Sequence, residues 1–262
     1  MNTEGGAIYD VSTGNISVER CGFCKCTTSL RGGAILKQNG HFFLSLLCFE
    51  DCAVVGSGNG DEKIGHCTLV DRSSGCLSRS TAWKCGLEHR KYGDTPFAFQ
   101  YSAPRTEDLN TSFCFGFGTP GTSYRHSTKD PEEIRTISAC GSGDLVNEMW
   151  ESGGSYTRHN TVNCSEHTFL IAFYFTGATV TLTECFYFDL AWDTCFYGVI
   201  PTTVNCSAYP AVPGFGVCKL QDLHTEFLEH VSGCRLLPSY AFTRALRQKH
   251  RGALFVSLLL IR

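Results

Sequence analysis

Short runs of this chain alternate apolar and polar residues with a period of two. Ile16-Ser17-Val18 and Val180-Thr181-Leu182 are two of these runs. A period of two belongs to a β-strand, whereas ankyrin or tetratricopeptide repeats of similar length need helices with apolar stripes at a 3.6-residue spacing. The pattern therefore predicts an all-β chain of short strands.

A repeated tetrapeptide, Gly-Gly-Ala-Ile, sets the spacing of these strands. Its two copies start 27 residues apart, at Gly5-Gly6-Ala7-Ile8 and at Gly32-Gly33-Ala34-Ile35. A fixed period of this size indicates stacked structural units. The glycines suit turns with a positive φ, and the alanine and isoleucine are predicted to point inward and stack on their counterparts about 4.8 Å away. The repeat thus predicts a parallel β-solenoid, in which neighbouring coils stabilise one another.

A cluster of cysteine and phenylalanine follows each copy. The clusters are Cys21, Phe23 and Cys26 after the first copy, and Cys48, Phe49 and Cys52 after the second. Cys21 and Cys48 are again 27 residues apart, which predicts that they occupy equivalent positions. The Phe-x-x-Cys motifs lie one residue closer together, as a deletion in a turn would produce. A third copy is predicted at residues 180–187, where Cys185 aligns with Cys21.

The combination of Gly-Gly-Ala-Ile with an aromatic-x-x-polar motif resembles the repeats of polymorphic outer-membrane-protein-type surface proteins. In the bacterial members the motif usually ends in Asn, whereas Cys26 and Cys52 stand at that position here, which favours the variety found in some anaerobic protists. The resemblance covers residues 1 to about 60 and, more loosely, residues 150–235. It implies a surface-associated β-helix protein that serves adhesion or presents a ligand-binding face, without enzymatic activity.

The predicted architecture is a right-handed parallel β-helix of imperfect coils of 21–29 residues over residues 1–238. The handedness follows the strong right-handed preference of parallel β connections. Residues 91–128 are predicted to leave the solenoid wall, because they contain Pro96, Pro104 and Pro120, and proline fits poorly in central strands. Residues 239–262 are predicted to form a C-terminal cap or the start of a membrane anchor.

Aromatic residues alternate at a spacing of two within the stretch that is predicted to leave the wall. They are Phe97, Phe99, Tyr101, Phe113, Phe115 and Phe117. Core filling is the preferred interpretation, and an aromatic platform for a sugar ring is the alternative.

Sixteen cysteines leave three interpretations open. Inward thiols at equivalent positions of successive coils would pack as small hydrophobic groups. Disulfides would suit a glycosylated surface protein, and four Asn-x-Ser/Thr sequons begin at Asn15, Asn110, Asn163 and Asn205. A zinc or redox site is the third interpretation, because Cys21 and Cys24 form a C-x-x-C motif.

Charge limits the partners. A net charge of -3 and a pI near 6.3 disfavour nucleic acid, since phosphate binding needs a clustered positive field. Carbohydrate or other cell-surface ligands are predicted instead. The expected location is the cell surface or the extracellular space, if the full-length protein carries a signal or anchor beyond this sequence. A membrane partner is expected only if the C-terminal apolar run, Ala253 to Ile261, belongs to a longer anchor.

No catalytic residue, cofactor or metal is assigned from the sequence. The alternative function is a polysaccharide lyase or hydrolase on the same scaffold, which would need carboxylates and an arginine or lysine in one groove. Acidic residues are scattered, and the run Asp130-Pro131-Glu132-Glu133 is predicted to be a solvated turn.

Overall fold

A computed structural model describes the chain as an all-β right-handed parallel β-helix, as predicted. The described residues are 4–55, 64–86, 95–116, 118–127, 130–139, 145–162, 164, 171–177, 179–188, 194–209, 211–212 and 214–217. Every strand pairing among them is parallel. The predicted C-terminal segment, residues 239–262, lies outside the described residues.

The strands form three stacks that run along the solenoid. The eight-stranded sheet contains β1 (Ile8–Asp10), β5 (Ile35–Gln38), β9 (Thr68–Asp71), β11 (Phe97–Gln100), β13 (Thr122–Arg125), β16 (Leu145–Trp150), β19 (Ile171–Thr176) and β22 (Thr194–Gly198). A small two-stranded sheet pairs β4 (Thr27–Thr28) with β8 (Ala53–Val54).

The third stack, a fifteen-stranded sheet, forms the opposite wall. Its strands in the first half of the chain are β2 (Asn15–Glu19), β3 (Gly22–Cys24), β6 (His41–Ser45), β7 (Cys48–Glu50), β10 (Ser74–Trp83) and β12 (Ala103–Ser112). Those in the second half are β14 (Glu132–Ile134), β15 (Ile137–Ala139), β17 (Gly154–Thr157), β18 (Asn160–Val162), β20 (Val180–Thr183), β21 (Phe186–Phe188), β23 (Thr202–Val204), β24 (Ser207–Tyr209) and β25 (Gly216–Val217).

Coil length varies more widely than the sequence predicted. Thr181 pairs with Thr202, which closes a short coil, whereas Ile35 pairs with Thr68, which closes a coil longer than any predicted. The added length of that long coil falls after Val54, whose partner is Thr28. The strands before and after this point still pair in parallel and in register, because neighbouring coils need equal lengths only along their paired strands.

The Gly-Gly-Ala-Ile copies lie side by side. Ile8 pairs with Ile35, and the glycines Gly5 and Gly32 have φ values of +56° and +58°. Ala34 and Ile35 are fully buried, whereas Ala7 of the first coil is exposed, because that coil has a described neighbour on one side only.

Cys21 and Cys48 do not occupy equivalent positions. Cys48 pairs with Gly22, and Phe49 with Phe23, so the offset between these strands is one residue shorter than the offset between the two Gly-Gly-Ala-Ile copies. The missing residue is lost in the preceding turn, between the pairs Asp10–Lys37 and Asn15–His41. Cys26 and Cys52 do occupy equivalent positions on the first two coils, since the residues that follow them, Thr27 and Ala53, pair with each other.

The third copy has the predicted register. Successive pairings through the fifteen-stranded sheet carry the Val18 column to Leu182 and the Phe23 column to Tyr187. Cys185 therefore occupies the position of Cys21 on a coil near the other end of the described stack.

Residues 91–128 do not leave the wall where they are described, which differs from the prediction. They form β11, β12 and β13, which pair in register with the coils before and after them. Pro104 is accommodated near the start of β12, where its partner is Gly75, a residue without a side chain. Phe97 and Phe99 fill the core, whereas Tyr101 is an exposed turn residue.

The coil bends at non-glycine residues in the left-handed conformation. Within the fifteen-stranded sheet, one such bend separates two strands of the same coil, as Arg20 separates β2 from β3. The bends at this position form a column that contains Arg20, Leu46, Arg79, Asp108, Arg135, Arg158, Glu184 and Asn205. This conformation is costly for residues with a Cβ. Five of these bends, at Arg20, Leu46, Arg135, Arg158 and Glu184, donate an amide hydrogen bond to the next coil, as Arg20 does to Ser45.

No helix among the described residues is long and apolar enough to cross a membrane.

Candidate functional site

Five ring-bearing side chains lie next to one another on the outer surface of the eight-stranded sheet. This aromatic column consists of Tyr101, His126, Trp150, Tyr174 and Tyr197. The rings of Tyr101 and His126 stack at 4.9 Å and 9°, and those of Tyr174 and Tyr197 at 5.1 Å and 4°. Each ring comes from a successive coil, but the column crosses the sheet obliquely, because Trp150 pairs with Thr176, two residues beyond Tyr174.

Charged groups border the aromatic column. The Arg125 guanidinium lies 5.0 Å over the Trp150 ring and donates a 3.0 Å hydrogen bond to Glu148, which also accepts one from Ser123 at 2.5 Å. Arg72 lies 5.4 Å over Tyr101 at one end of the column.

Exposure is greatest at the two ends of the column. Tyr101 is 42% and Tyr197 53% exposed, while Trp150 and Tyr174 are half-buried. Burial, followed by the neighbouring Tyr197, raises the pKa of Tyr174, so this hydroxyl stays protonated at neutral pH and can donate a hydrogen bond. The column therefore offers solvent a row of ring edges and hydroxyl groups, with a largely open ring at Tyr197.

A second feature is a column of inward thiols. Cys26, Cys52, Cys85 and Cys114 occupy equivalent positions on four successive coils, each directly after a residue with positive φ. In this niche the thiol contacts two carbonyl oxygens: Cys52 Sγ lies 3.5 Å from Glu50 O on its own coil and 3.6 Å from Phe23 O on the preceding coil. Eleven cysteines of the described part are unlinked thiols, which agrees with the thiol-column interpretation, whereas Cys48 is disulfide-bonded.

Burial keeps Cys26 and Cys85, together with the adjacent Cys67, protonated. It raises the pKa of Cys26 to about 11, that of the adjacent Cys67 to about 12, and that of Cys85 well above the ordinary value. Cys52 is the exception, because a hydrogen bond from Cys85 outweighs its burial and lowers its pKa. A thiol in this niche acts as a small apolar group that also donates to a carbonyl.

The third feature is a buried polar cluster inside the middle coils. Glu133 is 1% exposed and accepts hydrogen bonds from Tyr124 at 2.7 Å, from Thr136 at 2.6 Å and from Thr122. Its other neighbour is the His159 ring, whose Nδ1 lies 2.6 Å from Glu133 Oε1.

Glu133 contradicts the expectation of a solvated turn at residues 130–133. Asp130 and Glu132 are exposed, but Glu133 points inward because it follows Glu132 within a strand, β14. Burial raises the pKa of Glu133, yet its interactions with His159 and its hydrogen bonds from Thr122 and Thr136 together outweigh burial, so the net pKa is lowered. Burial and the Glu133 charge also keep the pKa of Tyr124 well above its usual range.

Acidic and basic side chains converge on the outer surface at Arg135. This guanidinium binds Asp108 at 2.8 and 3.2 Å and also binds Glu107. Both carboxylates are thus engaged by the same arginine, on a bend rather than in a groove. The arrangement is an ion-pair network on the outside of the coil.

The other sequence motifs separate in the structure. Cys24 points outward, with its Sγ 3.8 Å from Glu50, whereas Cys21 and Cys26 pack against the core, so the C-x-x-C motif does not converge. No group of three or more His, Cys, Asp or Glu in the described part of the chain is arranged to hold a metal ion. Asn110 is buried within β12 and is inaccessible to glycosylation, while Asn15 and Asn205 are exposed.

Comparisons of the chain with known protein families, with curated proteins and with solved structures give no match. The aromatic column, the thiol column and the buried cluster must be interpreted from their own chemistry.

Proposed function

We propose that the protein is a non-enzymatic binding scaffold of a cell surface, and that its ligand lies along the aromatic column. The observation that supports this most is the alignment of Tyr101, His126, Trp150, Tyr174 and Tyr197 on one outer face. Contiguous apolar side chains on an outer surface, bordered by polar groups, are typical of binding sites.

The geometry favours a chain-like carbohydrate as the ligand. Coils repeat about every 4.8 Å, so five rings span roughly 19 Å along the axis. The rings present edges and hydroxyl groups, which suit a ligand with many hydroxyls of its own. The largely exposed ring of Tyr197 provides an apolar platform at the end of the row.

The test is a glycan array probed with the labelled protein and two variants. Tyr197→Ala removes the exposed ring of the column. Tyr209→Ala is the matched control, since Tyr209 is also 53% exposed but lies on β24 of the other sheet. We expect glycan binding that Tyr197→Ala weakens at least several-fold and that Tyr209→Ala leaves unchanged.

Three outcomes would contradict the proposal. Absence of binding to any glycan would count against a carbohydrate ligand. Equal loss in both variants would show that the column is not the binding face. Cleavage of a bound glycan, detected by mass spectrometry of the eluate, would instead support the polysaccharide-active alternative and direct attention to Arg135 and its carboxylates.

A further inference from the structure

Cys185 and Cys206 are lateral neighbours on two successive coils near the C-terminal end of the described stack. The residues that follow them, Phe186 and Ser207, pair with each other. Neighbouring strands lie about 4.8 Å apart, which falls within the range of roughly 4.4–6.8 Å between the Cα atoms of a disulfide. The backbone therefore places the two cysteines at a separation that a disulfide can bridge.

Both side chains point into the same kind of niche. Cys185 Sγ lies 3.4 Å from Tyr156 O and 3.5 Å from Thr183 O, and Cys206 Sγ lies 3.2 Å from Leu182 O and 3.5 Å from Val204 O. Each thiol also shifts the pKa of the other, as neighbouring titratable groups do.

We propose that Cys185 and Cys206 are an oxidisable pair that forms a disulfide between neighbouring coils on reaction with a peroxide. Cys206 is the reactive member, since it is 6% exposed while Cys185 is 1% exposed. The hydrogen bond from Cys185 lowers the pKa of Cys206 to about 7, so a substantial fraction is thiolate at neutral pH. Burial raises the pKa of Cys185 well above its ordinary value, which suits a partner that reacts second.

The chemistry balances with hydrogen peroxide as the oxidant. The Cys206 thiolate attacks one peroxide oxygen, and the O–O bond breaks to give a sulfenic acid at Cys206 and hydroxide, which takes up a proton to become water. The Cys185 sulfur then attacks the Cys206 sulfur, its proton leaves with the sulfenic hydroxyl as a second water, and the S–S bond forms. Two thiols are oxidised and one peroxide is reduced to two waters.

The Cys85–Cys114 pair provides an internal comparison. These cysteines are also lateral neighbours on successive coils, since the Phe115 amide donates to the Cys85 carbonyl, and Cys114 has the same kind of carbonyl contacts. Both are fully buried, and burial raises the pKa of Cys85 well above the ordinary value. Proximity is thus common to the two pairs, whereas only Cys206 among these four cysteines is measurably accessible to solvent beyond 1%.

The test is to oxidise the reduced, folded protein with one equivalent of hydrogen peroxide, block residual thiols with iodoacetamide, and map peptides without reduction. Trypsin has no cleavage site between Arg158 and Lys219, so chymotrypsin is needed to separate the two cysteines. We expect a Cys185–Cys206 cross-link, two mass units below the sum of its peptides, before any Cys85–Cys114 link forms.

Two variants distinguish the proposed pair from general reactivity. In Cys185→Ser we expect Cys206 to remain a sulfenic acid that dimedone traps, and in Cys206→Ser we expect neither the adduct nor the cross-link. The oxidised wild type should also unfold several degrees higher than the reduced form, and dithiothreitol should reverse the shift. A reduced Cys206 after treatment, its linkage to a different cysteine, or equal oxidation of Cys85 would overturn the proposal.

Discussion

At the scale of single residues, Gly33 shows how closely two coils approach. A Cβ at this position would lie 1.9 Å from the His66 carbonyl oxygen and 3.0 Å from the Ala53 carbonyl carbon, so backbone would have to move. Gly22 lies on the surface of β3, and a Cβ there would have nothing within 4 Å. A side chain is therefore sterically excluded at Gly33 but not at Gly22.

We expect Gly33→Ala to lower the free energy of unfolding by about 2 kcal/mol or more, within the range of overpacked cores. Gly22→Ala should change it by less than about 0.5 kcal/mol, as exposed substitutions usually do. Urea titrations followed by circular dichroism would measure both. Equal effects would mean that the coils separate at Gly33 without cost.

Lys37 shows a limit of reading single residues from the pattern. A period of two places it on the inner side with Ile35, yet a lysine is almost never fully buried unless it is paired. It is fully buried, and Nζ binds Asp10 at 2.8 Å and the carbonyl oxygens of Ser12 and Gly14 at 2.9 and 3.1 Å. The counterion lies one coil earlier, so only the register of the Gly-Gly-Ala-Ile repeat could have identified it.

Asp10 is predicted to make stability depend on pH. Its hydrogen bond from Lys37 lowers its pKa to about 2, below the value of roughly 3.9 in an unfolded chain. A lowered folded-state pKa contributes stability that is complete above about pH 4 and is lost as the pH falls through about 2. We expect Asp10→Asn to be less stable than wild type at pH 6, with the difference shrinking towards pH 2. A pH-independent difference in unfolding free energy would contradict this.

At the scale of strands, one inward column changes character along the stack. It begins with Val18, Leu44 and Leu77 and continues with Thr106, Glu133, Tyr156 and Leu182. The alternation of apolar and polar residues that predicts a strand is therefore lost in the middle coils, because some inward positions there are polar. Together with the prolines, this polar character explains why residues 91–128 were predicted to leave the wall and residues 130–133 to form a solvated turn.

Glu133→Gln is expected to lower the free energy of unfolding by about 3 kcal/mol at pH 7, because a neutral amide leaves part of the buried hydrogen-bond network around Tyr124, Thr136 and His159 unsatisfied. The exposed neighbour provides the control: Glu132→Gln should have little effect. Since the pKa of Glu133 is lowered, its contribution is present above about pH 4.3 and lost on further acidification.

The two proteins should therefore converge at low pH. Chemical denaturation at a series of pH values would show the wild type losing more stability than Glu133→Gln between pH 7 and pH 3. Parallel pH profiles would mean that the Glu133 carboxylate does not stabilise the fold in its charged form.

At the scale of the whole molecule, the repeat was sufficient for the fold class but not for the candidate sites. Gly-Gly-Ala-Ile determined the stacking of the first coils, and a third positive-φ glycine, Gly65, continues the column although His66 replaces the second glycine. The aromatic column was not predicted, because Trp150, Tyr174 and Tyr197 come from coils whose lengths differ. Side chains that are neighbours only through register cannot be found until each coil length is known.

The stack also predicts how the molecule opens. Each coil is stabilised mainly by the coils next to it, so strands with one neighbour should open more readily than strands with two. In the described residues β1, β2 and β3 pair with the following coil only, while β10 and β12 pair on both sides. We expect hydrogen exchange, corrected for intrinsic rates, to be much faster in β1 to β3 than in β10 and β12.

The Lys37–Asp10 pair lies at the end of the stack formed by β1 to β3, so Asp10→Asn should accelerate exchange in β1 and β2 and leave β12 unchanged. Uniform protection in the wild type would instead show that the described coils unfold as one cooperative unit.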